Sequence, residues 1–373
     1  MNARSAETMH VIIIGSAGGQ DTLDSLRQDL PETGIVPLSC PDPGALAHVL
    51  RPLSAGTRAL LLRAGDRVEP GYLASLTQHG SGDAVGTLLT PTVTIRPDGA
   101  RDERLQWRFK HGSRSADLTA EPYIFPDTIS GVVLTVPRRG MSDWGGLGPL
   151  RGIEDTDGAN GSDENAGLSG LIAHIVDTGN RVGLHDGPAV VHHAPSPPGA
   201  WGKVEHYRHL LGTLLPAWLL ADSPPPAWVY QLVIHRLIQV TEADRGLRFP
   251  SARLTVAERA EVAQLLRSVT RHVPAAQIEA YCSTPLAVGR RTALAALAAG
   301  PMPAPILPSA RRFRSDQKAT YFFTGALPAE QWKVDGSWAS PTSAKTVDHR
   351  YFDEVVLHER IVWLPKGRIT AVI

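Results

Sequence analysis

The sequence predicts an α/β protein built on a mostly parallel sheet with helices on both faces, followed by a helical appendage and a small β-rich C-terminal segment. Three observations predict it. His10-Val11-Ile12-Ile13-Ile14-Gly15 is a short, wholly apolar run rich in β-branched residues, as suits a strand buried on both faces. Strand-like and helix-like segments then alternate as far as Leu62, the order that returns each strand parallel to the one before it. The apolar run Leu60-Leu61-Leu62 leads through Arg63-Ala64-Gly65 to the carboxylate of Asp66, and then to Pro70, a residue suited to open a helix. In such sheets ligands lie beyond the carboxyl ends of the strands, where strand order reverses, and Asp66 lies at one of those ends.

The elements follow in order. Residues 1–8 have no apolar pattern and are expected to be a loose end. Asp21 can cap a first helix whose Leu23, Leu26 and Leu30 recur at helical spacing before Pro31 closes it. A second strand is expected from Gly34 to Leu38, a turn at Pro41-Asp42-Pro43-Gly44, a helix with Leu46, Val49 and Leu50 inward, and a third strand from Arg58 to Leu62. A short helix follows around Tyr72 to Leu76, then one strand from Ala84 to Ile95 and a turn at Arg96-Pro97-Asp98-Gly99. Ile129 to Pro137 reads as a strand, Gly145 to Gly161 as a mobile Gly/Asp-rich loop, and Leu168 to Val176 as a helix. Arg181 to Leu184 and Pro188 to Val191 read as a closing strand segment and its continuation.

Helical spacing resumes over Val204 to Leu220, Trp228 to Ala243, Val256 to Val273 and Ala275 to Ala299. Pro224-Pro225-Pro226 breaks the first of these, and Thr255 with Glu258 forms a capping-box pattern before the third. Residues 301–308 form a proline-rich linker. Tyr321 to Phe323, Gln331 to Val334, Tyr351 to Leu357 and Arg360 to Leu364 are strand-like. The expected organisation is a lobe over residues 9–200, a helical domain over 201–300 and a β-rich segment over 309–373.

Composition narrows the function. The chain has 373 residues, with 37 Lys plus Arg balanced by 37 Asp plus Glu, so no net field recruits nucleic acid or an anionic membrane. Cys40 and Cys282 lie too far apart in sequence for a metal clip and are too few for a disulfide framework. With no long apolar span and no leader-like N-terminus, the expectation is a soluble, cytoplasmic protein. The richness in Gly (35) and Pro (30), with Ala, Arg and Leu, is that of high-GC bacterial proteins.

The stretch from Leu60 to Leu73 resembles the signature of family 2 glycosyltransferases of the GT-A, Rossmann-like fold. In that signature a buried strand ends in Asp-x-Asp-Asp and a short x-x-Pro-x-Tyr-Leu helix follows; here the helix reads Pro70-Gly71-Tyr72-Leu73. The resemblance covers residues 9–195. It takes in Asp98-Gly99, Arg138-Arg139 in place of a Phe-Arg-Arg, and a Glu-Asp pair, helix and closing strand in the family's order. With the helical segment after the lobe, the layout is similar to that of bacterial wall teichoic acid glycosyltransferases. Two motifs are degenerate. Aligned without a gap, Arg63 and Gly65 stand where the metal-coordinating acids belong, and Ser39-Cys40-Pro41-Asp42 replaces the uridine-contacting Asp-Asp-Gly-Ser.

The resemblance implies a nucleotide-sugar donor, a hydroxyl acceptor on a polymer, glycan or natural product, and a divalent cation, Mn or Mg. Asp66 would ligate the cation because hard cations take carboxylate oxygens, with His192 or His193 completing the site. Asp42, Arg63 and Asp66 are the candidate contacts to the nucleotide sugar, since a guanidinium can clamp phosphate in place of a metal. The base that takes the acceptor proton would come from Asp155 of the Glu154-Asp155 pair, or from Asp163 and Glu164.

Each candidate has a plainer role: Asp66 as a helix cap, the acids as a solvated loop, the histidines as surface. Two other readings stand beside the transferase. One is a catalytically degenerate module that binds glycan or protein, or joins copies into a homo-oligomer. The other is a cleft rebuilt around His192, His193, His206 and His209 as a metal site.

Overall fold

The structure, a computed structural model, describes residues 9–14, 19–29, 36–40, 49–50, 52–54, 56–78, 86–95, 101–103, 105–136, 163–193, 200–220, 224–245, 250–300, 311–312 and 316–372. The chain divides into two compact units, Met1–Val233 and Ile234–Ile373.

The first unit is built on two sheets. Its strands are β1 (Met9–Ile14), β2 (Val36–Cys40), β3 (Arg58–Arg63), β4 (Arg67–Val68), β5 (Thr87–Leu89), β6 (Thr92–Ile95), β7 (Arg101–Asp102), β8 (Arg114–Asp117), β9 (Val132–Thr135), β10 (Arg181–Leu184) and β11 (Val190–His193). The larger sheet has the order β2-β1-β3-β9-β5-β10-β8. Strands β1, β2 and β3 pair in parallel, β9 runs against both β3 and β5, β10 is parallel to β5, and β8 opposes β10. Thus only β8 and β9 oppose the common direction, and the α/β, mostly parallel architecture expected from the apolar strands is present. The chain leaves β1 to one side for β2 and returns to the other for β3, so order reverses between β1 and β3, next to Asp66.

The smaller sheet, β4-β11-β6-β7, explains two departures from the expected strands. Ala84 to Ile95 is not one strand. It breaks at Thr90-Pro91, and β5 lies in the larger sheet while β6 lies in the smaller. Pro91 has no N–H to give a ladder, whereas its carbonyl accepts from Val190 N at 2.9 Å. The chain makes the same transfer between β10 and β11, so the parallel pair β5/β10 continues as the parallel pair β6/β11. The sequence pattern also assigns nothing between Gly99 and Ile129. There the chain makes β7, a 3-10 turn at Gln106–Phe109 and β8, all too short and too charged to show a period.

The core of this unit joins Val11, Ile13, Leu60 and Leu62 from β1 and β3 to Leu26 of helix α1 (Gly19–Asp29) and to Tyr72, Leu73 and Leu76 of helix α2 (Tyr72–Gln78). Helix α3 (Asp163–Asp177) buries Leu168, Leu171 and Ile175. Val204 to Leu220 is helical as expected, but Arg208–Leu214 widens to a π-helix between α4 (Val204–Tyr207) and α5 (Leu215–Leu219). Pro216 supplies a cause: it has no N–H to give the carbonyl of Gly212. The expected turn at 41–44 and the Gly/Asp-rich loop at 145–161 lie outside the described residues.

The boundary between units falls within helix α6 (Ala227–Ala243). In the second unit, helix α7 (Val256–Thr270) opens with the expected capping box. Ala275 to Ala299 is two helices, α8 (Ala275–Glu279) and α9 (Val288–Ala299), because Pro285 interrupts the periodic run. The C-terminal strands are β12 (Arg311–Arg312), β13 (Asp316–Phe323), β14 (Gln331–Val334), β15 (Ser337–Ala339), β16 (Ser343–Tyr351), β17 (Glu354–Pro365) and β18 (Ile369–Val372).

Tyr351 to Leu357 is therefore a hairpin rather than a strand. Phe352 and Asp353 both take positive φ, 51° and 67°, and turn β16 back onto β17. The sheets β12-β13-β17-β16 and β15-β14-β18 share a core of Tyr321, Phe323, Trp332, Val362 and Leu364.

The capping box gives a test of local stability. Thr255 Oγ1 accepts from Glu258 N at 3.3 Å while Glu258 Oε2 accepts from Thr255 N at 2.7 Å. Thr255→Ala removes one half of that exchange. It is expected to lower stability by about 1 kcal/mol, read as a shift of the denaturant midpoint with an unchanged slope.

Candidate functional site

Three strand ends meet at Asp66, and the registers of the sheets dictate the meeting. At the end of β3 the chain turns through Arg63-Ala64-Gly65-Asp66, with Asp66 N donating to Arg63 O at 3.0 Å and Gly65 at a φ of 93°. Such a φ favours glycine. Thr22 of α1, fully buried, fastens this turn: its Oγ1 accepts from Gly65 N at 2.9 Å and donates to Arg63 O at 3.4 Å. The Asp66 side chain folds back so that Oδ2 accepts from Arg63 N at 3.1 Å.

The second strand end is β11. It pairs antiparallel with β4, placing Val191 against Arg67, and one further step brings His192 opposite Asp66. His192 Nδ1 lies 2.7 Å from Asp66 Oδ1. The third is β9, which sets Val132 against Leu61; two steps back, Ser130 faces the end of β3. Ser130 Oγ donates a hydrogen bond to Asp66 Oδ2. Gly131 permits this approach: its φ is 76°, and a Cβ there would stand 2.6 Å from Thr90 Oγ1.

Asp66 is wholly buried, Ser130 nearly so, and the His192 side chain is 18% exposed. Two further sets of hydrogen bonds brace the cluster. Tyr72, the first residue of α2, places its hydroxyl 2.8 Å from Thr90 Oγ1, which donates in turn to Gly131 O at 2.7 Å. Burial, reinforced by the Asp66 carboxylate, pushes the Tyr72 phenol well above its ordinary ionisation range. On the other side Arg108, 5% exposed, donates to Leu105 O at 2.9 Å, to Phe125 O, and to Asp127 Oδ1 at 2.8 Å. It thereby holds the segment that leads through Thr128 to Ser130, whose N–H donates to Thr128 Oγ1 at 3.1 Å. Thr90, Thr92, Arg108, Asp127, Thr128 and Ser130 line a small groove.

The residues named from the sequence fare unequally. Asp66 and His192 come together. Asp66 is not a helix cap, because its oxygens face Arg63 N, Ser130 and His192 rather than the N-terminus of α2. Arg63 is half-buried at the end of β3. His193 continues β11, and Asp163 and Glu164 open α3, but their side chains lie outside the described residues. Asp42 and the acids Glu154 and Asp155 also lie outside them. His206 packs its ring edge-on to Trp201 at 4.5 Å. Among the described residues no three His, Cys, Asp or Glu side chains are grouped to hold a metal, so His192, His206 and His209 do not assemble into one. Sequence reasoning missed Ser130. Its only signal is a hydroxyl and a glycine, Ser130-Gly131, set in the otherwise apolar run Ile129 to Leu134.

The donor set can be tested against the divalent cation that the resemblance implies. Hard cations of this kind take six or more oxygen ligands, or keep several waters around one or two carboxylates. Here Oδ2 already accepts two hydrogen bonds and Oδ1 faces an imidazole, the Asp66 side chain is wholly buried, and among the described residues no further acid is grouped with it. The described residues do not fit such a cation.

No protein-family model matches the sequence, and no curated protein matches it. Among solved structures, S. aureus TarS 1–349 in complex with UDP-GlcNAc is 12% identical over 78% of this chain and 87% of that one, with a TM-score of 0.48. GalNAc-T7 with UDP, GalNAc and Mn2+ is 11% identical over 73% of this chain and 59% of that one, with a TM-score of 0.32. Neither likeness by itself assigns the chemistry.

Two outcomes follow from this geometry. Asp66→Ala strands His192 and Ser130 beside a cavity and is expected to cost about 3 kcal/mol, measured by urea unfolding. A smaller change than the ordinary surface substitution gives would contradict the central position assigned to the carboxylate. The neutral Tyr72 phenol contributes stability that is complete below its unfolded pKa of 10.0 and is lost as pH rises through the raised folded value. Urea midpoints should therefore fall from about pH 10 upward, with a smaller fall in Tyr72→Phe.

Proposed function

We propose that this chain is a glycosyltransferase that moves a sugar from a nucleotide-sugar donor to the hydroxyl of a polymer, glycan or natural product. One observation supports the reading above others: the buried Asp66 stands at the carboxyl end of β3, where sheet order reverses, immediately before the Pro70-Gly71-Tyr72-Leu73 helix start. That is the position at which the resembled family keeps its sugar-diphosphate pocket. The lobe over residues 9–200 would hold the donor, and the helical and β-rich segments after it would serve the acceptor or assembly.

The charge balance of the chain agrees with a small-molecule donor rather than nucleic acid. Among the described residues no helix is long and apolar enough to cross a membrane.

Calorimetry of the full chain against a panel of UDP- and CDP-sugars tests the reading. Binding of at least one donor, with Kd in the range of about 1 μM to 1 mM usual for enzyme substrates, is the expected result. Silence across the whole panel, in the presence and absence of manganese, would favour the degenerate binding module instead.

A further inference from the structure

We infer that His192 is the proton-accepting residue of the transfer, held in position by Asp66 and Ser130, and that this cluster works without a bound metal. The inference rests on the glycosyltransferase reading and adds a residue and a role to it.

Both oxygens of Asp66 are engaged. Oδ2 accepts from the Arg63 backbone N–H and from the Ser130 hydroxyl, so that oxygen has no lone pair to spare. Oδ1 lies 2.7 Å from His192 Nδ1. A carboxylate can only accept, so the hydrogen of that contact belongs to Nδ1. In the neutral imidazole the lone pair is then at Nε2, on the far side of the ring. His192 is the member of the cluster that reaches solvent, 18% exposed against 0% for Asp66.

A buried carboxylate that fixes the tautomer and orientation of a histidine whose side chain is still partly exposed is the arrangement by which hydrolases prepare a general base. The carboxylate also stabilises the imidazolium that forms when the proton arrives. Ser130 and the turn N–H keep the carboxylate from rotating away. In this role Asp66 and Ser130 are positioning residues; the group that meets substrate is His192.

The proposed step balances without a further reactant. The acceptor O–H bond breaks and its proton passes to Nε2. The oxygen electron pair forms the bond to the anomeric carbon, and the carbon–oxygen bond to the diphosphate breaks with its electrons leaving on the nucleoside diphosphate. The imidazolium then returns the proton to solvent.

Three measurements on the full chain test the inference. Nitrogen-15 NMR of the wild type, with His192 assigned by its loss in His192→Gln, should show hydrogen on Nδ1; an Nε2–H tautomer overturns the assignment. Manganese alone, titrated and followed by electron paramagnetic resonance, should remain free; binding that His192→Gln abolishes also overturns it. With the donor found by calorimetry, His192→Gln should lower kcat by about 100-fold or more while the donor Kd stays within about 2-fold. An unchanged kcat overturns the base, and Ser130→Ala, which retains Asp66, should give a smaller loss. The first two readouts need no donor, so their failure removes the His192 base and leaves the transferase reading to the calorimetry.

Discussion

A carboxylate taken wholly out of water is costly unless every oxygen is met by a donor, and Asp66 meets that condition with groups from three separate strand ends. The turn after β3 supplies a backbone N–H, the entry to β9 supplies a hydroxyl, and β11 supplies an imidazole. Each donor is local to its own element. None can move away without leaving charge unpaired, so the corner is a constraint that the two sheets of the first unit must satisfy together.

The architecture meets the constraint by changing sheets twice. Because β5 passes into β6 at Pro91 and β10 passes into β11 after His185, the smaller sheet continues the larger one with an offset. That offset carries β11 across from β4, where antiparallel pairing sets His192 against Asp66. Gly131 and Thr90 let the strands approach closely, and Tyr72 closes the space beneath them. Arg108 does the same for the approach to Ser130, with its guanidinium spread over Phe109 and Phe125 at 5.5 and 5.7 Å. A site built this way is preorganised by packing, which is what a proton acceptor needs to hold its geometry through a reaction.

The same residues take different chemistry according to what surrounds them. An aspartate with open lone pairs among other acids is a cation ligand; an aspartate enclosed by a serine, a histidine and a backbone N–H orients the histidine instead. Here the turn Arg63-Ala64-Gly65-Asp66 carries a single acid. Asp66 then has no acidic neighbour in the turn, and its partners are hydrogen-bond donors. The second unit follows separate rules. Its two C-terminal sheets share one apolar core, and Arg259 pairs with both Asp244 and Asp353.

The sequence by itself determined the elements whose signals are local. The β-branched run before Gly15 and the leucines of β3 read as buried strands and are so, and Thr255 with Glu258 marked its helix start to the residue. Asp66 was legible as a carboxylate at a strand end, but its surroundings were not: the sequence offered a cation ligand or a helix cap, and its oxygens meet Arg63 N, Ser130 and His192 instead. What the tertiary structure alone decided were the features that depend on partners distant along the chain. The break at Pro91 is decided by Val190, 99 residues away by the two residue numbers. The sharing of Asp66 by Ser130 and His192 spans separations of 64 and 126 residues. Register across a sheet is a long-range property: it is set by the pairing of whole strands, and no periodicity in a single strand reveals which residue will stand opposite.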